Sequence, residues 1–193
     1  MLVSADDITR SLRGTAGLLN HKPGALRCFD CSERGFWRSF GAIVLAAPAA
    51  VTALALERGP AALDGAPLLR ADHVTLAVLG GVLACFLAVP VAMIGIARRL
   101  RLTAFYVPFV VVTNWILVVA FLALSVPGLL LALDLSTPGL AVLQAGAFTV
   151  VVLRVHATAV RETLGLSGPA AALTTLACAG IVAMVAGGAH ALI

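Results

Sequence analysis

The sequence predicts an all-α protein: a polytopic transmembrane bundle of five spanning helices with a short amphipathic helix ahead of the first. Three observations carry that prediction. Hydrophobic residues make up 61% of the 193 and charged residues 11%, against roughly 45–50% and about 25% in an ordinary soluble domain, so a water-facing surface could not be covered. Five apolar stretches are each long enough to cross a hydrocarbon core roughly 30 Å thick at about 1.5 Å per helical residue. Eleven of the thirteen Lys and Arg fall on alternate breaks between those stretches, the asymmetry expected of a chain threaded through a bilayer.

Two regions follow: residues 1–35 as a cytoplasmic amphipathic or interfacial segment, and 36–193 as the five-helix transmembrane domain. In the first, Ser4 can cap a helix whose first turn holds Asp6 and Asp7, where the helix dipole favours negative charge. Ile8, Leu12, Ala16 and Leu19 then share a face. Such a helix either lies on the cytoplasmic leaflet or packs under the bundle, and the sequence leaves both open. After a His21-Lys22-Pro23-Gly24 turn, Asp30 and Glu33 have the spacing of a capping box, so one helix is expected to run from about Cys31 into the first span. Phe36, Trp37, Arg38 and Phe40 stand where interfacial residues anchor a helix.

The spans are expected at about 36–56, 74–97, 103–125, 129–153 and 168–192. The first contains Pro48 and a row of Ala42, Ala46 and Ala50. The third should end before Pro127-Gly128, which favour a turn. The fourth starts either after Gly128 or at Thr137-Pro138, which reads as an N-cap followed by proline at the first helical position. The fifth opens at Ser167-Gly168-Pro169. Residues 1–35 lack the apolar core and small-residue cleavage site of a secretory signal.

Arg10, Arg13, Lys22, Arg27, Arg34 and Arg38 precede the first span, Arg98, Arg99 and Arg101 follow the second, and Arg154 and Arg161 follow the fourth. This distribution places the N-terminus on the cytoplasmic side and the C-terminus on the outer side of a multi-pass membrane protein. The net charge of +4 and pI near 9.3 fit anionic lipid headgroups at the cytoplasmic face. Nucleic acid is excluded because the positive charge is scattered and little interleaved with aromatics.

Few residues could carry chemistry. Cys28 and Cys31 form a C-x-x-C pair to which His21 could add a third ligand, but a closed zinc site wants four, so no metal is expected. His73 and His190 both fall at the outer face, where two imidazoles could ligate haem iron; no aromatic or glycine pattern frames them and no cofactor is expected. His156 is read as part of the cytoplasmic connection, facing headgroups. Asn114, Gln144 and Asp134 are the intramembrane polar residues. An amide hydrogen bond between Asn114 and Gln144 would tie the third and fourth spans together, worth about 0.6–1.7 kcal/mol. Ala171, Thr175, Ala179, Ala183, Gly187 and Ala191 recur every four residues, a ladder of small side chains that lets another backbone approach closely, whether from this chain, a partner protein or a second copy. No H-E-x-x-H, G-x-S-x-G or phosphate-binding loop occurs, which disfavours enzymatic activity.

Phe36-Trp37-Arg38-Ser39-Phe40 and Val160-Arg161-Glu162-Thr163-Leu164-Gly165-Leu166-Ser167 resemble stretches of a group of short bacterial inner-membrane proteins whose five-span layout is similar to that of Yip-domain membrane proteins. The resemblance implies an adaptor without catalytic residues. The function expected is a non-enzymatic accessory, scaffold or organising subunit that binds other membrane proteins or a second copy. The rivals are a small transporter or channel using Asn114, Gln144 and Asp134, and a haem-bearing electron carrier.

Overall fold

The computed structural model describes residues 3–58, 72–99 and 101–193. The helices are α1 (Ala5–Leu19), α2 (Glu33–Gly41), α3 (Ala47–Arg58), α4 (His73–Arg99), α5 (Tyr106–Ala132), α6 (Pro138–Leu164) and α7 (Gly168–His190). Among the described residues five helical units are long and apolar enough to cross a membrane: Glu33–Arg58, Thr103–Ala132, α4, α6 and α7. The chain is a multi-pass helical membrane protein. Helices suit that medium because every backbone N–H and C=O must find its partner within the segment.

The first span is one helical unit with a tightened middle, because α2 and α3 join through a 3-10 turn at Ala42–Ala46. Pro48 causes the change, since its missing N–H and its ring disturb the carbonyl one turn back. The helix begins at Ser32, whose hydroxyl accepts from Gly35 N at 3.1 Å, rather than at Asp30. Asp30 instead accepts from Ser32 N and prepares that cap. The Ala42, Ala46 and Ala50 row is buried, and the span packs along α5.

Three expected boundaries move. α5 continues through Pro127-Gly128 to Ala132; without water to take up freed backbone groups, a helix tolerates an internal proline that would end it in a soluble loop. α6 begins at Pro138 rather than near 129, with Thr137 Oγ1 accepting from Leu140 N. It runs to Leu164, well past Leu153. Both changes slide the fourth span about three turns along the sequence.

α5 is the axle. Its spanning window is 56% buried, against 17% for α6 and α7, and all residues from Phe109 to Ile116 are buried. The first span, α4, α6 and α1 all contact it, while α7 closes the bundle against α4 and α6. α1 sits against α5 and α6, burying Asp7, Ser11, Gly14, Thr15, Gly17 and Leu18. Its apolar stripe lies beside that face: Leu12 stays 44% exposed and, with Ala16 and Leu19, borders an apolar recess of about 210 Å³ against Ile116, Val119 and Phe148. The structure packs α1 on the bundle, with Ile8 and Leu19 partly buried against the core and Leu12 and Ala16 exposed.

Gly14 and Gly17 let the 25–29 connection fold back onto α1, because a Cβ there would meet the Phe29 ring at 2.5 Å and the Ala25 Cβ at 2.9 Å. Gly35 is tighter still, since a Cβ would collide with the Asp30 carbonyl oxygen. Gly35→Ala is expected to lower stability by about 2 kcal/mol or more, the scale of overpacking against an unyielding neighbour. Gly146→Ala, at a helical position with open space around it, should be neutral or stabilising by up to about 1 kcal/mol. Thermal unfolding of the two variants in detergent checks the contrast.

Candidate functional site

One turn of α5 carries the polar ties of the bundle interior. Asn114 Nδ2 donates to Ser39 Oγ at 3.0 Å, and Ser39 Oγ donates to Phe36 O at 2.7 Å. Both side chains are fully buried, and Asn114 Oδ1 has no partner. On the other side of the same turn, Thr113 Oγ1 lies 3.4 Å from His156 Nε2, and His156 Nδ1 lies 3.2 Å from Thr175 Oγ1. Phe109 sets its ring edge-to-face against the imidazole, with centroids 6.3 Å apart. His156 is 8% exposed. An ionisable residue at membrane depth, held by named partners on two other helices, is the first place to look for function in such a protein.

The imidazole also lines a recess of about 250 Å³ among α4, α5, α6 and α7. Thr113, His156 and Thr175 form its buried end; Leu124, Thr149 and Ala183, all exposed, form its opposite rim. The walls between them are apolar, Val152, Val182 and Cys178 among them.

A second polar cluster fixes α1. Asp7 accepts from Ser4 N and Ser4 Oγ at 3.1 and 2.7 Å, while Ser4 Oγ takes the Asp7 N–H, completing a capping box. Arg10 reaches the same carboxylate at 2.8 Å and Arg38 of the first span at 3.3 Å. Burial raises the Asp7 pKa, yet the hydrogen bonds from Ser4 and Arg10 and the charge of Arg38 outweigh it and hold the carboxyl below its ordinary 3.8. At the other end of α1's connection, Arg154 Nη2 donates to His21 Nε2 at 3.0 Å.

The other sequence candidates scatter. Asn114 does not pair with Gln144, because the corrected start of α6 puts Gln144 about 9 Å from one end of the bundle and Asn114 about 27 Å from that end. Gln144 Oε1 is buried without a partner. Asp134 is exposed in the α5–α6 turn with φ 56°. His73 is exposed, and His190 Nδ1 lies 3.1 Å from Glu57 Oε1. Arg58 meets Asp72 and Thr75 at the same end. His21 is turned to Arg154, and Cys31 is exposed, its thiol pushed up by desolvation and by the Asp30 carboxylate. Among the described residues no three His, Cys, Asp or Glu side chains come together as metal ligands would. Of the interfacial anchors, Phe36 and Phe40 stack edge-to-face at 5.2 Å and Phe36 reaches Tyr106, whereas Trp37 is exposed and Arg38 turns inward to Asp7. Of the α7 ladder, Ala171 and Thr175 are buried, Ala179 is half-buried, and Ala183, Gly187 and Ala191 are exposed.

His156 was to have been in a connecting loop; the structure places it inside α6. Counting about 20 residues from Pro138, the length a span requires, reaches past it. Thr149, Val152, His156, Ala159 and Thr163 then form one helical face. Ending the span at Arg154 hid both signals, since a long cation can remain on a spanning helix and extend its head toward the surface.

No family model, no curated protein and no solved structure matches the chain.

Asp7 predicts a pH dependence with a definite sign. Its folded pKa is depressed, so its contribution is fully present above the unfolded value and fades as pH falls through the folded one. In thermal unfolding between about pH 5 and pH 2, the native chain should lose more stability than Asp7→Asn, so the two curves converge toward low pH. Parallel curves would remove Asp7 as the fastening of α1.

Proposed function

We propose that this chain is a non-enzymatic accessory or organising subunit of the bacterial inner membrane, with its N-terminus cytoplasmic, and that the outer half of α7 seats another membrane protein. The uncovered half of the α7 ladder carries the reading. Ala171 and Thr175 are used inside the bundle, but Ala183, Gly187 and Ala191 are exposed, and nothing lies within 4 Å of where a Cβ would stand on Gly180, Gly187 or Gly188. In hydrocarbon, burying a large apolar side chain gains little, so helices associate where small residues let backbones and Cα–H groups come close. A face of that kind suits a neighbouring helix.

The basic end supports the orientation. Arg10 and Arg13 lie on α1, Lys22 and Arg27 in the connection after it and Arg34 at the start of α2, with Arg98 and Arg99 in the last turn of α4 and Arg101 just beyond it. They suit the anionic headgroups of a cytoplasmic leaflet. Asp7–Arg38 and Glu57–His190 contacts put α1 and the end of α7 at opposite ends of the first span, as a five-span chain with its termini in different compartments requires. A five-span layout similar to that of Yip-domain membrane proteins fits the same kind of role. The scatter of Asn114, Gln144 and Asp134 gives a transport pathway no continuous polar line.

A photo-crosslinker installed at Ala183 or Gly187 in native membranes tests the reading, with Val44 and Leu76, 73% and 70% exposed on other helices, as controls. The α7 positions should each give a discrete heavier species and the controls none. Gly187→Leu should abolish that species while leaving the chain's own unfolding unchanged. Equal capture at all four positions, or capture at none, would contradict a dedicated partner face.

A further inference from the structure

We propose that the recess ending at His156 is a binding site for an uncharged, single-chain lipid whose head group presents a hydroxyl or carbonyl oxygen. This goes beyond a partner-binding role and does not depend on it.

Proton bookkeeping at the closed end comes first. A neutral imidazole has one donor and one acceptor nitrogen, and each threonine hydroxyl has one donor. Thr113, His156 and Thr175 thus own three donors and use two of them in the two bonds of the trio. With the proton on Nδ1, that nitrogen donates to Thr175, Thr113 donates to Nε2, and the Thr175 hydroxyl proton is left over. With the proton on Nε2, the Thr113 proton is left over. Threonines in helices usually discharge such a proton on the carbonyl one turn back, as Thr149, Thr163 and Thr174 do here. The hydroxyls of Thr113 and Thr175 turn to His156 instead. Either tautomer leaves one O–H donor at the floor of the recess, and a buried donor without an acceptor is costly.

The recess itself defines the rest of the ligand. Its lining holds no Lys, Arg, Asp or Glu, so an ionised head would be buried without a counter-charge, which costs several kcal/mol. The head is therefore neutral and contributes an acceptor oxygen. The rim residues Leu124, Thr149 and Ala183 are exposed on membrane-length helices, so the way in is from hydrocarbon rather than from water. The walls are aliphatic, and about 250 Å³ falls below the roughly 300–1,000 Å³ of sites that take drug-sized molecules. One aliphatic chain fits such a space, and a two-chain lipid does not. Fatty alcohols, isoprenoid alcohols and long-chain ketones share this chemistry.

Purified full-length protein in detergent would be labelled with a long-chain alcohol and a long-chain ketone bearing a diazirine on the chain, and adducts mapped by mass spectrometry. Adducts are expected on Val152, Leu153, Cys178 and Val182, competed by excess unlabelled fatty alcohol but not by a fatty-acid anion. His156→Leu, which frees Thr113 and Thr175 to discharge their protons on the carbonyls one turn back, should weaken labelling by the alcohol and ketone about tenfold, the worth of one hydrogen bond, while a diazirine alkane of equal length labels as before. Ala179→Phe, which fills the recess, should remove all three. Adducts spread evenly over exposed positions of α6 and α7, labelling that does not saturate, or equal loss of alkane and alcohol in His156→Leu would each overturn the proposal. Preference for the alcohol over the ketone, or the reverse, would identify the head.

Discussion

The bundle depends on one fully enclosed turn of α5. Thr113 and Asn114 are adjacent in sequence and project about 100° apart on the helix, one toward His156 and through it Thr175 on α6 and α7, the other toward Ser39 in the first span. In water such bonds would compete with solvent and fix little. Inside hydrocarbon an unmade bond leaves a stranded polar group, so these contacts select the rotation and depth of the neighbouring helices even where each is worth only about 0.6–1.7 kcal/mol. Apolar packing around them is permissive by comparison. Val110, Val111 and Val112 would bury against many neighbours.

From that turn the division of labour among the helices follows. The first span and α4 enclose α5 and carry the polar ends, where Asp7 meets Arg38 and Arg58 meets Asp72. α6 packs along α5, α7 closes over α4 and α6 and is tied to α5 through His156, and the two diverge in role beyond that level. Their outer halves border the open rim of the recess and present the uncovered small residues of α7. Structure-holding contacts and surfaces open to other molecules are thus separated along the membrane normal. α1 extends the separation to the basic end, buried on its polar and small face and open on its apolar one.

Much of the fold was legible because hydrophobic length is a direct consequence of bilayer thickness: five stretches became five spanning units. The Ser4 cap with Asp6 and Asp7 behind it was readable from local chemistry, and Ala42, Ala46 and Ala50 do form a buried face. What failed were rules learned in water. Pro127-Gly128 looked like a stop and is crossed by a continuous helix; Arg154 looked like a boundary and lies about three turns before one. Those two shifts together hid His156 and made Asn114 and Gln144 look level when they are far apart in depth. The Asp7–Arg38 and Thr113–His156–Thr175 contacts join residues 31, 43 and 19 positions apart. No periodicity records such distances.

A double-mutant cycle on Ser39 and Asn114 tests the central claim most directly. Unfolding of the native chain, Ser39→Ala, Asn114→Val and the double variant in one detergent yields their coupling energy. An interaction of about 0.6–1.7 kcal/mol is predicted, the range measured for hydrogen bonds between helices in membranes. Simple additivity of the two single losses would contradict the account, because the buried turn of α5 would then hold its neighbours by shape alone.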